Sequence, residues 1–392
     1  MINGEKVIEN PIRWAMIGGG RGSQIGYIHR SSATRDRNFM LVAGAFDIDP
    51  ERGKEFGVNI GVDPERCYKD YQTMFEEEAK REDGIQAVSI ATPNGTHYEI
   101  SRAALLSGLH VICEKPLCFE SHQAKELEEL AEEKKLIFGV TYGYTGHQMV
   151  QQAREMVARG VLGKIRIVQM QFAHGGCNVA TEANSAAQKW RTDPKIAGPS
   201  FILGDVGTHA LYLGELICPE LEIESLLCTK QSFVEGRQLE DNAFVLLNYK
   251  DGAKGTLWAS GVNCGSMHGQ KIRVIGEKAS IEWWNERPNQ LRYEVQGEPA
   301  CVMERGTDYL YPDALSEDRI GGGHVEGLFE SWSNLYRRFA IAMDAANRND
   351  DDFLKDFWYP NVHDGARGVK FIEKCVESAD EGSAWVNYEE SI

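Results

Sequence analysis

An aspartate and a histidine stand four residues apart in Asp205-Val206-Gly207-Thr208-His209. On a helix this spacing puts both side chains on one face, so the carboxylate could orient the imidazole or hold a substrate hydroxyl group. The ordinary pKa of histidine lies close to neutral, which suits His209 to take up a proton as a general base. The alternative is a helix cap followed by a histidine whose hydrogen bonds are satisfied within the fold.

A second candidate site is the glycine-rich segment 18–26, which directly follows a short apolar run. Glycines at such a turn bring backbone N–H groups close to a pyrophosphate at the positive end of a helix. Gly18 and Gly20 fit the pattern GxGxxG, whereas Ser23 occupies the third glycine position. The position after the first strand of a βαβ unit is the context that the motif requires. The residues expected to contact the pyrophosphate there are Ser23, Gln24 and Ile25.

A carboxylate follows the next apolar run, in the segment 46–50. At the end of a second strand, Asp47 could accept hydrogen bonds from the adenosine ribose and repel a 2′-phosphate. We therefore expect Asp47 to bind the ribose and the chain to use NAD rather than NADP. The alternative is that Asp47 or Asp49 caps the helix that begins near Pro50, and we assign that capping role to Asp49.

The elements that position these residues follow two patterns. Up to about residue 141, short apolar runs alternate with amphipathic segments, which predicts βαβ units and a parallel sheet. The strands predicted in this part are 12–17, 41–46, 85–90, 110–113 and 136–141. A surface helix is predicted over 121–135, with Ser121 as its cap.

Beyond about residue 149, extended runs with alternating side chains are separated by glycine-containing turns, which indicates an antiparallel sheet. The strands predicted there are 164–172, 243–249, 253–260, 271–275 and 280–284. Two late amphipathic stretches, 328–346 and 365–378, are expected to form helices packed on that sheet. The change of pattern predicts two domains, residues 1–145 and 146–392.

Composition excludes several classes of protein. The 392 residues include 42 Lys and Arg against 59 Asp and Glu, and the resulting charge of −17 argues against nucleic acid or an anionic membrane as a partner. Nine cysteines without a CxxC pair argue against a disulfide framework or a zinc ribbon and fit a reducing cytoplasm. The first eleven residues do not resemble a secretory signal, and we expect no transmembrane helix.

Two further strings stand at the ends of later predicted strands: Thr92-Pro93-Asn94-Gly95-Thr96-His97 and Glu114-Lys115-Pro116. Together with the loop at Gly18 and the segment 205–209, they resemble the glucose–fructose oxidoreductase, inositol dehydrogenase and rhizopine-catabolism family (Gfo/Idh/MocA). The resemblance covers nearly the whole chain. It implies an α/β protein with an N-terminal Rossmann dinucleotide-binding domain and a C-terminal α+β domain. The second domain would carry a large, mostly antiparallel open sheet that faces a partner subunit in a homodimer or homotetramer.

The resemblance also implies roles for individual residues. Lys115 would stand beside the nicotinamide, and Asp205 and His209 would face it from the second domain. The Lys115 ammonium would stabilise charge that develops on the substrate oxygen and would oppose protonation of a nearby imidazole. A structural role for His97 is as plausible as a cofactor contact. The residues implied to line the cofactor site are Thr92, Pro93, Asn94, His97, Glu114 and Lys115.

These features predict an NAD-dependent oxidoreductase that oxidises a secondary hydroxyl group of a cyclic polyol or sugar, such as an inositol, an aldose or a glycoside. The alternatives are an NAD-dependent glycosidase that oxidises the ring transiently, and a nucleotide-sensing regulator without catalysis. We expect no metal site, because the histidines lack HxH or HExxH spacing. An apparent insertion at 174–189 would tune specificity. The predicted substrate contacts are Lys115, His147, Arg191, Asp205, His209 and His324.

Overall fold

The computed structural model describes residues 1–179 and 191–389, and the chain divides into two compact units. The first comprises Asn3–Gly143 and Leu328–Arg367, and we call it the five-stranded unit after its sheet. The second comprises Met1–Ile2, Tyr144–Gly327 and Gly368–Ile392, and we call it the nine-stranded unit.

The five-stranded unit contains a parallel sheet in the order β2-β1-β3-β4-β5. Its strands are β1 Ile12–Gly18, β2 Phe39–Ala45, β3 Ala87–Ala91, β4 His110–Cys113 and β5 Phe138–Val140. A single parallel bridge between Gly44 and Cys67 extends the sheet beyond β2. The connections diverge between β1 and β3, and ligands bind at such a switch point in doubly wound sheets. The predicted parallel sheet is therefore confirmed.

Five helices belong to the same part of the chain: α1 Gln24–Arg35, α2 Pro50–Asn59, α3 Tyr71–Glu78, α4 His97–Leu106 and α5 Ser121–Lys134. Asp49 caps α2 as predicted, because its side chain accepts hydrogen bonds from the backbone N–H groups of Glu51 and Arg52. The predicted cap of α5 was wrong. Ser121 is the first residue inside that helix, and the cap position belongs to Glu120, whose side chain makes no capping hydrogen bond.

The nine-stranded unit contains one mixed sheet in the order β13-β12-β11-β10-β6-β9-β8-β7-β14. All neighbours pair antiparallel except β6 and β9, so the predicted, mostly antiparallel sheet is confirmed. The five strands predicted there lie within one residue of their expected bounds. The strands are β6 Ile165–Ala173, β7 Ile223–Gln231, β8 Asn242–Tyr249, β9 Lys254–Ser260, β10 Gln270–Gly276, β11 Ala279–Trp284, β12 Gln290–Val295, β13 Cys301–Glu304 and β14 Val386–Asn387.

The helices that follow α5 are α6 Gln148–Ala158, α7 Pro194–Ala197, α8 Thr208–Ile217, α9 Pro312–Leu315, α10 Leu328–Asn347, α11 Asp351–Asp356 and α12 Val362–Asp380. The predicted packing of α10 on the second sheet was wrong. Its Tyr336 contacts the rings of Trp14 and Phe39 edge-on, inside the core of the five-stranded unit. Helical periodicity shows that a helix has a buried face, but not which sheet covers it. The predicted division at residue 145 therefore omits this return of the chain.

Among the described residues, no helix is both long enough and apolar enough to cross a membrane.

Candidate functional site

The glycine-rich loop is closed tightly between two strand ends of the five-stranded unit. Gly18 has a φ of +72° and lies beside Ala91 in the register of β1 and β3. A Cβ atom at Gly18 would lie 2.7 Å from the Ala91 carbonyl oxygen, and one at Gly20 would lie 2.5 Å from that of Phe46. Any larger residue would push the loop away from the ends of β2 and β3, so the two predicted glycines are required by the local packing.

The start of α1 completes this loop. The Ser23 hydroxyl accepts a hydrogen bond from the Gly26 backbone N–H at 3.1 Å and so caps the helix. A Cβ atom at Gly26 would lie 2.1 Å from the Gly19 carbonyl oxygen. Gly26 thus provides the close helix-to-strand packing that the third glycine of GxGxxG provides, a role that sequence analysis had not assigned to it. Gln24 and Ile25 form the first turn of α1, where N–H groups suit an anion, and their pyrophosphate contacts stay predictions.

Asp47 follows the end of β2 by two residues and forms an ion pair with Arg52 near the start of α2. Its Oδ2 atom lies 2.6 Å from Nη2 of Arg52, and its Oδ1 atom accepts a hydrogen bond from the Asp49 backbone N–H. Burial would raise the pKa of Asp47, but the hydrogen bonds from Asp49 and Arg52 outweigh burial and lower it. The carboxylate is therefore charged at neutral pH, as a ribose ligand that repels a 2′-phosphate should be.

His97 connects two of the motif strings. Its ring is fully buried, with Nδ1 2.8 Å from the Pro116 carbonyl oxygen and Nε2 3.0 Å from that of Thr92. Burial lowers the pKa of His97, so the ring is neutral and donates to one of these carbonyls at a time. Both nitrogens face backbone atoms, which favours the structural role over the predicted cofactor contact. Thr92, Pro93 and Asn94 lie in the loop that His97 holds.

Glu114 belongs to a buried polar network that sequence analysis missed. Its Oε1 atom lies 3.1 Å from Nε2 of His29 and accepts a hydrogen bond from the Thr141 hydroxyl at 2.5 Å. Nδ1 of His29 in turn lies 2.5 Å from the hydroxyl of Tyr336 on α10. Burial would raise the pKa of Glu114, but the bonds to His29 and Thr141 and the charge of Lys115 lower it overall. The network fixes the strand end from which half-buried Lys115 extends.

Asp205 and His209 lie on one continuous stretch of the nine-stranded unit. The residues Leu203–Gly207 form a π-helical turn, and His209 is the second residue of α8. The α-helical spacing assumed for the pair was therefore wrong at Asp205, which lies in the wider turn. Oδ2 of Asp205 is 3.4 Å from Nη1 of Arg191, so the structure pairs two of the predicted substrate contacts.

A carboxylate from another part of the chain caps this stretch. Oε1 of Glu240 accepts hydrogen bonds from the backbone N–H groups of Ile202 at 3.0 Å and Leu203 at 3.3 Å, and from the Ser200 hydroxyl. Burial raises the pKa of Glu240, against the opposing effect of these hydrogen bonds. Glu240 therefore fixes the start of the segment that carries Asp205 and His209. The sequence gives no signal for this cap, because the partners are about 40 residues apart.

The His209 ring packs against two aromatic rings of the same unit. Its ring lies 4.9 Å from that of Tyr144 in an edge-on arrangement and 6.1 Å from that of Phe172. The Tyr144 hydroxyl is 3.1 Å from Nε2 of His268, whose ring stacks on Phe172 at 4.4 Å. Tyr144 and Phe172 therefore fix the side of the His209 ring that they contact, and His268 supports both of them from behind.

The remaining predicted substrate contacts of the nine-stranded unit are His147 and His324. His147 precedes α6, is 5% exposed and packs its ring 5.4 Å from that of Trp283. His324 is exposed in a loop whose backbone carbonyl accepts a hydrogen bond from Arg305. The structure pairs Arg191 with Asp205 but shows no such partner for the His324 side chain among the described residues. Residues 180–189 of the predicted insertion lie outside the described part of the chain. In residues 1–179 and 191–389, no cluster of three His, Cys, Asp or Glu side chains could hold a metal ion.

Comparison with known proteins gives two family matches. Residues 12–142 match the model described as the oxidoreductase family, NAD-binding Rossmann fold, of GFO_IDH_MocA, and residues 154–388 match its C-terminal alpha/beta domain. A curated relative, "Uncharacterized oxidoreductase YfiI" of Bacillus subtilis (strain 168), is 57% identical over 99% of this chain and 100% of its own length.

Two solved structures from Azotobacter vinelandii are each 62% identical to this chain and cover 99% of it and 100% of their own chains. One is an inositol dehydrogenase homolog complexed with NAD+, with a TM-score of 0.98. The other is an inositol dehydrogenase homolog complexed with NADH and myo-inositol, with a TM-score of 0.95.

Proposed function

The chain belongs to the Gfo/Idh/MocA oxidoreductase family, and from this premise we propose that it oxidises a secondary hydroxyl group of a cyclic polyol or sugar with NAD. The observation that carries the proposal is the 62% identity, over nearly the whole chain, to a relative that holds both NADH and myo-inositol. Inositols are accordingly the first substrates to test, and aldoses and glycosides follow.

The residues of the five-stranded unit fit NAD. A side chain at Gly18 or Gly20 would collide with the ends of β3 and β2, so only glycine fits this tight turn. The backbone N–H groups of the turn and of the start of α1 are the groups that we assign to the pyrophosphate. Asp47, with its lowered pKa, is the group we assign to the adenosine ribose. When bound, NAD supplies the acceptor for the hydride that leaves the substrate carbon.

We assign the proton transfer to His209. As the C–H bond of the alcohol breaks, an imidazole nitrogen of His209 takes the hydroxyl proton, and the C–O bond becomes a carbonyl. The Lys115 ammonium stabilises the negative charge that develops on that oxygen. Asp205, paired with Arg191, holds a neighbouring substrate hydroxyl group or orients the imidazole.

The experiment that tests this function is NADH formation by the purified protein with NAD and a panel of inositols, aldoses and glycosides. The proposal expects NADH to accumulate with at least one neutral polyol or sugar and to depend on its concentration. A protein that binds NAD but forms no NADH with any of them would contradict the proposal, and aglycone release from the glycosides would then indicate the glycosidase alternative.

A further inference from the structure

Several side chains of the nine-stranded unit carry buried polar atoms that have no hydrogen-bond partner among the described residues, and Gln270, His268 and His147 are among them. Gln270 is fully buried, and neither its Nε2 nor its Oε1 atom has a partner. The Nε2 atom of His147 and the Nδ1 atom of His268 are in the same state. Buried polar groups in folded proteins are nearly always hydrogen-bonded to protein, water or a ligand. A group of such atoms in one place therefore points to a ligand with several hydroxyl groups.

Gln270 and His268 lie beside Phe172, and His147 is close enough to His268 for the two rings to interact electrostatically. Gln270 on β10 is the direct cross-strand partner of Phe172 on β6, so their side chains stand next to each other on the buried face of the sheet. The His268 ring stacks on Phe172 at 4.4 Å. Burial is the main cause of the lowered pKa of His147, and the proximity of His268 contributes to it.

The cluster is contiguous with the candidate base. Phe172 and Tyr144 both contact the His209 ring, and the Tyr144 hydroxyl is 3.1 Å from Nε2 of His268. All of these residues belong to the nine-stranded unit. A polyol whose reacting hydroxyl group meets His209 would therefore bring its other hydroxyl groups towards Gln270 and His268.

The chemistry of the cluster selects uncharged ligands. Burial lowers the pKa of His268 to about 4. Burial, with a smaller contribution from His268, lowers the pKa of His147 to about 3. Both rings are therefore neutral in the physiological range. A carboxamide and two neutral imidazoles donate to and accept from hydroxyl groups but give no charge to balance a phosphate. The Glu286 carboxylate, which acts on His268, would repel an anion.

We propose that Gln270, His268 and His147 form a subsite for the hydroxyl groups of an uncharged polyol or sugar, and that this subsite excludes phosphorylated substrates. The inference rests on the proposed function, because it takes His209 as the group that meets the reacting hydroxyl. It adds two residues, Gln270 and His268, that the sequence motifs do not mark.

The test compares Gln270→Leu with a matched control, Ile272→Leu, which alters side-chain shape two residues along the same buried face. Removing a polar atom that lacks a partner does not destabilise the folded protein, so the Tm of Gln270→Leu should equal or exceed that of the wild type. Its KM for myo-inositol should rise about tenfold or more, the loss expected for one or two hydrogen bonds. The dissociation constant for NAD should stay unchanged, and Ile272→Leu should keep the KM of the wild type.

His268→Phe provides a second variant, because the new ring preserves the stack on Phe172 and removes only the nitrogens. Its KM for myo-inositol should also rise. With the wild type, myo-inositol 1-phosphate should give a kcat/KM at least about tenfold below that of myo-inositol, because the subsite supplies no cation. An unchanged KM in both variants, or equal kcat/KM for the phosphorylated and free polyol, would overturn the subsite.

Thermal stabilisation of the NAD-saturated protein by myo-inositol separates this inference from the proposed function. If the wild type forms no NADH but its Tm rises with myo-inositol and that of Gln270→Leu does not, the proposed function fails and the subsite stands. If the wild type forms NADH and the Gln270→Leu variant has the same KM and the same rise in Tm, the subsite fails and the proposed function stands.

Discussion

Oδ2 of Asp47 accepts a hydrogen bond from Nη2 of Arg52 at 2.6 Å, directly beyond the second strand of the parallel sheet. A single turn of chain thus presents both a carboxylate that suits the ribose of NAD and a guanidinium that suits the 2′-phosphate of NADP. In this structure the Asp47 carboxylate is paired with the Arg52 guanidinium. Cofactor preference should therefore depend on Asp47 and Arg52 together.

Asp47→Ala should shift the cofactor preference towards NADP. The substitution removes the ribose hydrogen bonds and the repulsion of the 2′-phosphate, and it releases Arg52 from its ion pair. We expect the ratio of kcat/KM for NAD to that for NADP to fall by about tenfold or more. The double variant Asp47→Ala/Arg52→Gln is the control and should lose most of the NADP use gained by the single variant. An unchanged ratio in Asp47→Ala would mean that another residue discriminates the ribose.

His209→Asn should abolish most turnover and leave NAD binding intact. Asn retains hydrogen-bonding ability but cannot accept a proton near neutral pH, so the loss of a general base should lower kcat by about 10²–10⁴-fold. The measurements are kcat with the best polyol and the dissociation constant for NAD from fluorescence titration. Tyr144→Phe, which keeps the ring that packs on His209, is the matched control and should retain far more activity. Turnover of His209→Asn within a few-fold of the wild type would refute the base assignment.

Glu240→Ala should lower kcat because it removes the cap of the turn that leads to Asp205 and His209. The three hydrogen bonds to Glu240 would be lost, and the start of the π-helical turn would no longer be fixed. NAD binding should not change, since the residues assigned to NAD belong to the five-stranded unit. Glu240→Gln keeps one acceptor oxygen and should restore most of kcat. Equal kcat in Glu240→Ala and the wild type would exclude a positioning role.

Stability in mild acid should depend on His147. Burial lowers its pKa from the ordinary 6.5 to about 3 in the folded protein. As pH falls below 6.5 the unfolded chain binds a proton that the folded chain does not, so the free energy of unfolding decreases until the folded pKa is reached. For one such group the slope is at most about 1.4 kcal/mol per pH unit. His147→Phe should therefore lose less Tm than the wild type between pH 7 and pH 5, and parallel Tm curves would contradict this.

Local patterns in the sequence predicted the elements but not the residues that hold them together. The five strands of the parallel sheet were predictable from short apolar runs, and five of the nine strands of the second sheet from alternating side chains, because both patterns are local. The strands β7, β12, β13 and β14 were not predicted. The His29 contact with Glu114 spans 85 residues, and the Glu240 contact with Ile202 spans 38, so neither leaves a local pattern. The helix α10 was predicted as a helix but assigned to the wrong sheet for the same reason.

The residues of the candidate site likewise fall into those that a local motif marks and those that only the folded structure brings together. The positions of Gly18, Gly20 and Asp47 at strand ends were predictable because each motif lies within a few residues of its strand, and their roles in NAD binding stay predictions. Gly26 was not assigned, because its role depends on the close approach of α1 to Gly19 rather than on motif spacing. Gln270 could not be singled out from the sequence, since one glutamine in a strand has no signature until its cross-strand neighbour is known.

The most direct test of the account is the fate of the hydrogen on the reacting carbon. The purified protein would be incubated with NAD and myo-inositol deuterated on its ring carbons, and the NADH formed would be examined by mass spectrometry. We predict that one deuterium per turnover appears in the NADH and that kcat/KM falls relative to unlabelled myo-inositol if hydride transfer limits the rate. NADH that forms without deuterium, or deuterated inositol that is left unchanged by a protein that binds NAD, would contradict hydride transfer from this polyol.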